Sequence, residues 1–272
     1  LYSIFIHLEQ LAGPLADLDG KVPNGTTQYM RIPIKAGDLI AYDGGTFGFD
    51  FSLHDEQITL PGFLVPESYR IEPWKVHTVD PYDYFEEPIR NALLTKNLRQ
   101  VEPLGGKIDH DIQGRMVGNW FVVGTNGYAG SSEVGGLVKP DQQIGYWNTH
   151  LSIAFDPIDP NGVIVSIGLY DGRSAQFLVK DADPRPEETA VETGLVKYEL
   201  IDWNYMHSSS GEPWGGLARE MATDIIVAPG VGVQGVVLLQ MVADENLKME
   251  AFPGMLAADV DGFTQAARLY ER

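Results

Sequence analysis

The amino-acid sequence predicts a mainly β protein, built as two β domains joined by one helix. Thirty Gly and 17 Pro divide the 272 residues into short pieces. Most of these pieces are β-branched or aromatic runs bounded by turn residues, the pattern of strands separated by tight turns. One stretch, residues 88–100, instead spaces its apolar residues for a helix, and the composition shifts just beyond it.

The first domain, residues 1–86, opens with an apolar run at 2–8 that reads as a strand already under way, so an upstream segment is expected ahead of Leu1. Further strands are expected at 29–34, 39–42 and 49–53. Residues 61–66 and 74–80 read as extended edges that close this domain against its neighbour, with Trp74 as an anchor. Residues 87–104 form the connector: Ile89, Leu93, Leu94 and Leu98 share a helical face, Pro88 suits the first turn, and the loop at 102–106 ends it. The second domain, residues 105–272, has expected strands at 118–124, 151–155, 163–169, 175–179, 196–201, 224–227, 235–242, 247–251 and 267–270. Their spacing fits a β-barrel or β-sandwich of eight or so strands. Residues 235–242 are nearly continuous apolar, which marks a strand covered on both faces. Residues 247–252 alternate, as a half-exposed strand does, and Asp244-Glu245-Asn246 forms the hairpin between the two.

Charge and composition exclude several functions. With 38 acidic against 19 basic side chains the formal net charge is -19. Such a chain repels phosphate backbones and anionic lipid, so no nucleic-acid partner is expected. The sequence has no cysteine, which excludes disulfides, thiolate zinc sites and thiol nucleophiles and leaves the chemistry to His, carboxylates and hydroxyls. No run is long enough for a transmembrane helix, so no transmembrane segment is expected.

Three pieces of the first domain then stand in a telling order: Tyr2-Ser3-Ile4-Phe5-Ile6-His7-Leu8, Ile34-Lys35-Ala36-Gly37-Asp38-Leu39-Ile40-Ala41-Tyr42-Asp43-Gly44-Gly45-Thr46, and Phe49-Asp50-Phe51-Ser52-Leu53. Over residues 1–85 this order resembles the C-terminal half of a lysostaphin-type (LytM-like) zinc endopeptidase domain. The resemblance implies a barrel-sandwich peptidase fold, with zinc as the cofactor if the domain is catalytic. In it His7 matches the histidine that sits beside the metal and assists the reaction. Asp50 stands where the family has the second histidine of its His-x-His motif, and Gly48 where it has the first. The family's remaining ligands would fall upstream of Leu1. A zinc hydrolase needs three protein ligands and an open position, so a site with Asp50 alone is depleted. His54, four residues beyond Asp50 on the same strand face, is a further candidate ligand. Both residues also have plainer readings: His7 as a strand-end histidine packed on the hairpin, Asp50 as a carboxylate capping backbone amides.

The second domain offers weaker signals. Gly118-Asn119-Trp120 is similar to the Gly-x-Trp of lipocalin-like barrels, in which the tryptophan plugs the closed end. Asp109-His110-Asp111 reads as a solvated turn, and Asp156 to Gly162 as a hairpin rather than a calcium loop, because Asn161-Gly162 is tight-turn chemistry. His207 and Ser208 to Gly211 lack a nucleophile elbow and read as a flexible loop. Trp203, Tyr205 and Trp214 flank that loop and could stack on a ligand or glycan, or simply pack beneath it.

Because the LytM-like family acts on peptidoglycan, the resemblance implies an extracytoplasmic or secreted location. The expected role is a non-catalytic protein with a degenerate peptidase-like domain and no cofactor, binding a protein, glycan or peptide of the cell envelope. Two alternatives stay open: an active zinc endopeptidase completed by upstream residues, and a lipocalin-like small-molecule carrier.

Overall fold

A computed structural model describes residues 1–23, 26–43, 50–130, 145–214 and 224–272. It bears out the mainly β expectation. Eight antiparallel strands close into a barrel: β6 (Gly118–Val122), β7 (His150–Phe155), β8 (Val163–Tyr170), β9 (Arg173–Lys180), β10 (Val196–His207), β11 (Ile225–Ala243), β12 (Asn246–Pro253) and β13 (Arg268–Glu271). Each strand pairs with the next, and β13 returns to β6 through Tyr270 opposite Val122 and Glu271 opposite Phe121. The segments expected at 224–227 and 235–242 are one continuous strand, β11, whose pairing with β10 shifts register where Gly230, Gly232 and Gly235 interrupt it.

Register decides what fills the barrel. Trp120 stands opposite Leu151, Leu151 opposite Ile167, Val165 opposite Phe177, Tyr198 opposite Val237, Leu239 opposite Met249, and Leu247 opposite Tyr270. Directly opposed residues project to the same side of a sheet, so these side chains share one face, the interior. They belong to a cluster of nineteen buried side chains packed on one another. Outside, the even positions of β11, Val236 and Leu238, are covered by Val260, Met255 and Phe263 of the loop that follows β12. The continuous apolar run at 235–242 is thereby explained: each face has its own cover.

Arg272 closes one end. Its side chain is almost wholly buried, 2.7 Å from Asp111 Oδ1 and 2.6 Å from Glu245 Oε2. Its guanidinium carbon lies 3.9 Å from the Trp120 ring centre. One Nη also donates to the carbonyls of Ile112, Arg115 and Val117, so an otherwise costly buried charge is neutralised and hydrogen-bonded.

The first hundred residues form two small sheets. β1 (Tyr2–Ile6) pairs with β4 (Asp50–His54), which pairs with β5 (Thr78–Val79). β2 (Leu8–Leu11) pairs with β3 (Ala41–Asp43). The single strand expected at 2–8 is broken at His7, whose φ of 67° turns the chain from one sheet to the other. No strand forms at 29–34. The expected helix is also shorter: α1 spans Ile89–Leu94. Beyond it the Asn97 side chain accepts from Arg99 N (3.0 Å) and donates to Leu104 O (2.7 Å), local bonds that compete with helix continuation.

This part seats on the barrel through Phe63, Tyr69 and Val76, which pack against the outward ring of Phe121 on β6. Two buried carboxylates fix the seat. Asp109 accepts from Gly62 N (2.9 Å) and Lys107 Nζ (3.0 Å), and Asp111 from Leu64 N (3.2 Å) and Asn119 N (2.7 Å). The segment expected to be a solvated turn is therefore a buried clamp. Its alternation does hold, since both carboxylates face the contact and His110 points away into the clefts described next.

Candidate functional site

Two clefts lie where the N-terminal sheets meet the barrel, and they share Lys75, Ile108 and His110 at their border. The first, of about 690 Å³, is floored by β1 and β4 and roofed by the 99–110 segment and the loops around Phe155 and Arg185. It contains two of the residues singled out from the sequence, Asp50 and His54. Ile6 pairs with Asp50, which brings His7 Nε2 to 3.7 Å from Asp50 Oδ2 with both side chains largely exposed. His7 and Asp50 are thus neighbours at the cleft rim. Gly48, the third matched position, lies outside the described residues.

His54 is not placed to join them. Four residues at about 3.4 Å per residue separate it from Asp50 by roughly 14 Å along the strand, too far for one metal ion. It is 1% exposed, and both ring nitrogens are engaged: Nδ1 lies 2.9 Å from Trp74 O, and Nε2 2.8 Å from Ser52 Oγ. Tyr2 stacks on it at 5.0 Å. Burial above all holds its pKa below the ordinary value, so the ring is neutral. Among the described residues, no three His, Asp or Glu side chains converge on a point that could hold a metal ion.

The second cleft, about 730 Å³, lies on the outer wall of β6 to β9. Its floor is a row of uncharged polar side chains in register across four strands: Asn119 opposite Ser152, Ser152 opposite Ser166, Ser166 opposite Gln176. Ser152 Oγ donates to Asn119 Oδ1 (2.9 Å), and Gln176 Nε2 to Ser166 Oγ (3.0 Å). Asn119 is held from behind, since its backbone N–H is the donor to buried Asp111 and its Nδ2 donates to Ile108 O (2.9 Å).

Aromatic rings stand at one end of that row. Tyr146–Thr149 forms a 3-10 turn laid tightly on β8. A Cβ on Gly168 would fall 1.7 Å from Trp147 O, so only glycine permits that approach. Trp147 is thereby set edge to face against Tyr146, which in turn meets Tyr128 and His150. His150 Nε2 lies 3.0 Å from Tyr128 O, and burial pushes its pKa down to about 4. His110 is lowered too, by burial first and by Lys107. Lys75 Nζ is 3.1 Å from Glu72 and 4.8 Å from the Tyr128 ring centre.

No family model, curated protein or solved structure matches the chain.

Trp203, Tyr205 and Trp214 do come together. Tyr205 and Trp214 meet edge to face at 6.0 Å, and Trp214 N donates to Tyr205 O. Tyr205 Oη donates to Asp156 Oδ2 (2.7 Å), which ties the group to the wall of the first cleft. None of the three rings lines either large cleft. The 156–162 segment is the expected hairpin, with Asp156 Oδ1 accepting from Ile158 N and Asp159 N. His207 Nδ1 and the hydroxyl of Ser209 both bond Asp224, so the serine is paired with the carboxylate and not with the histidine base that a nucleophile requires.

Proposed function

We propose that this chain is an extracytoplasmic, non-catalytic binding protein that takes a peptide of the cell envelope in the cleft floored by β1 and β4. The observation that carries this reading is the state of His54. In the cleft where the resemblance would put catalysis, the histidine nearest its floor has both nitrogens committed to Trp74 and Ser52, while the cleft itself stays open. Its lining mixes Lys75, Arg99, Lys107 and Arg185 with acidic groups and with apolar side chains such as Ile6 and Phe51. A peptide, carrying both charge signs and apolar groups, suits that mixture, whereas a polyanion would meet the net charge of -19. A ligand carried inside the barrel is not favoured, because side chains fill that space.

The test is calorimetric titration with sugar-free stem peptides of peptidoglycan. Saturable binding that weakens several-fold in Asp50→Ala supports the reading, since Asp50 is exposed at the rim and removable without loss of fold. Absence of binding would refute it. So would hydrolysis of the same peptides on addition of zinc, which would favour the endopeptidase alternative.

A further inference from the structure

The cleft on the barrel's outer wall differs in its lining from the cleft floored by β1 and β4. The chain has 38 Asp and Glu residues, yet among the described residues no carboxylate lines this cleft. Among the described residues that line it, Lys75 is the one strong cation, and it is already paired with Glu72. A cationic ligand would find only Glu72 and an anionic one only Lys75, and these two are already paired with each other.

Other classes are excluded by the wall itself. The strands β7 and β8, which carry Ser152 and Ser166, are paired on both sides, so an extended peptide cannot add to them. A lipid chain or flat apolar ligand would have to bury the row from Asn119 to Gln176 without replacing its lost water, which is costly for each unpaired polar group. What remains is a ligand rich in uncharged donors and acceptors with apolar C–H faces.

We propose that this cleft binds a neutral oligosaccharide, with Asn119, Ser152, Ser166 and Gln176 hydrogen-bonding ring hydroxyls and Trp147 stacked against a pyranose face. The row runs about 14 Å across four strands at roughly 4.8 Å each, the reach of a short oligosaccharide. Amides and hydroxyls act as both donors and acceptors, matching sugar hydroxyls, which do the same. The two hydrogen bonds inside the row use only part of that capacity. The row is also preorganised: Asn119 is anchored by Asp111 and Ile108, and Trp147 by its turn on Gly168, so little ordering is left for the ligand to impose. Burial lowers the pKa of both His110 and His150, so near neutral pH the two rings add no charge to the Lys75–Glu72 pair.

This site uses a different wall from the peptide cleft and stands without it. The test is titration with N-acetylchitotriose, maltotriose and cellotriose, with trigalacturonic acid and indole as anionic and apolar comparisons. At least one neutral trisaccharide is expected to saturate the protein at millimolar concentration or below. The double variant Ser166→Val/Gln176→Leu should weaken it about tenfold with an unchanged melting temperature, because both side chains lie on the outer wall. Trp147→Ala should weaken it at least as much, while binding of the stem peptides stays at its wild-type strength. Failure of all three trisaccharides would overturn the proposal, as would tighter binding of trigalacturonic acid or indole, or wild-type affinity in the double variant.

Discussion

Arg272 shows how much one side chain can hold. It lies over Trp120, reaches Asp111 and Glu245, and donates to three carbonyls of the segment entering β6. Arg272→Met removes the charge but leaves Asp111 buried without its partner, and such a break costs about 3–5 kcal/mol. Urea unfolding should show that loss, and a change below about 1 kcal/mol would mean that water reaches Asp111. His150 gives a pH prediction. Burial depresses its folded-state pKa from 6.5 to about 4, so on acidification the unfolded chain takes up the proton first. Stability is therefore complete above about pH 6.5, falls as pH drops toward 4, and the loss saturates there at no more than about 3 kcal/mol from this residue. His54 and His110 are shifted the same way. His150→Gln should thus reduce the difference between urea midpoints at pH 7 and pH 5 without abolishing it.

At the scale of elements, the barrel strands were the most legible part of the sequence, because their inward residues alternate with outward ones or, in β11, run on without a break. Leu238 and Leu239 test that reading. Leu239 faces the interior and Leu238 the loop after β12, so alanine at either position should cost about 3 kcal/mol. If only Leu239→Ala does, the outer cover is loose. Gly168→Ala should push the Tyr146–Thr149 turn off β8, destabilise by about 1–3 kcal/mol and weaken trisaccharide binding together with the near-UV signal of Trp147. Less of the candidate site was legible. Ser152, Ser166 and Gln176 stand at outward positions where any polar residue satisfies the alternation, and only the closed register aligns them into a row. The helix was over-read because apolar spacing ignores what Asn97 does with its own side chain. The seat at Asp109 and Asp111 was missed because carboxylates in a Gly-bounded segment look solvated until their amide partners, 47 residues away, are known.

The molecule as a whole carries a net charge of -19, and salt should stabilise it by screening self-repulsion. Calcium has no special claim on the two acidic segments. Asp109 and Asp111 are held by Lys107, Arg272 and backbone amides, and Asp156 by two amides and Tyr205. At matched ionic strength calcium should therefore raise the melting temperature by little more than sodium does. A calcium-specific gain above roughly 10 °C, several kcal/mol for a chain of this size, would show that a dedicated site exists.

Closure of the barrel through β13 and β6 also sets an order of events in time. Tyr270 meets Val122 across about 150 residues of chain, a loop whose entropy must be surrendered before the contact returns anything. Seven hairpin contacts can form as each strand emerges from the ribosome, but the eighth must wait for the whole span. Until then β6 presents a bare edge and an open Trp120. Refolding should accordingly end in a slow step, on the millisecond-to-second scale of non-local β proteins, and during that interval the chain is most exposed to pairing with another copy of itself.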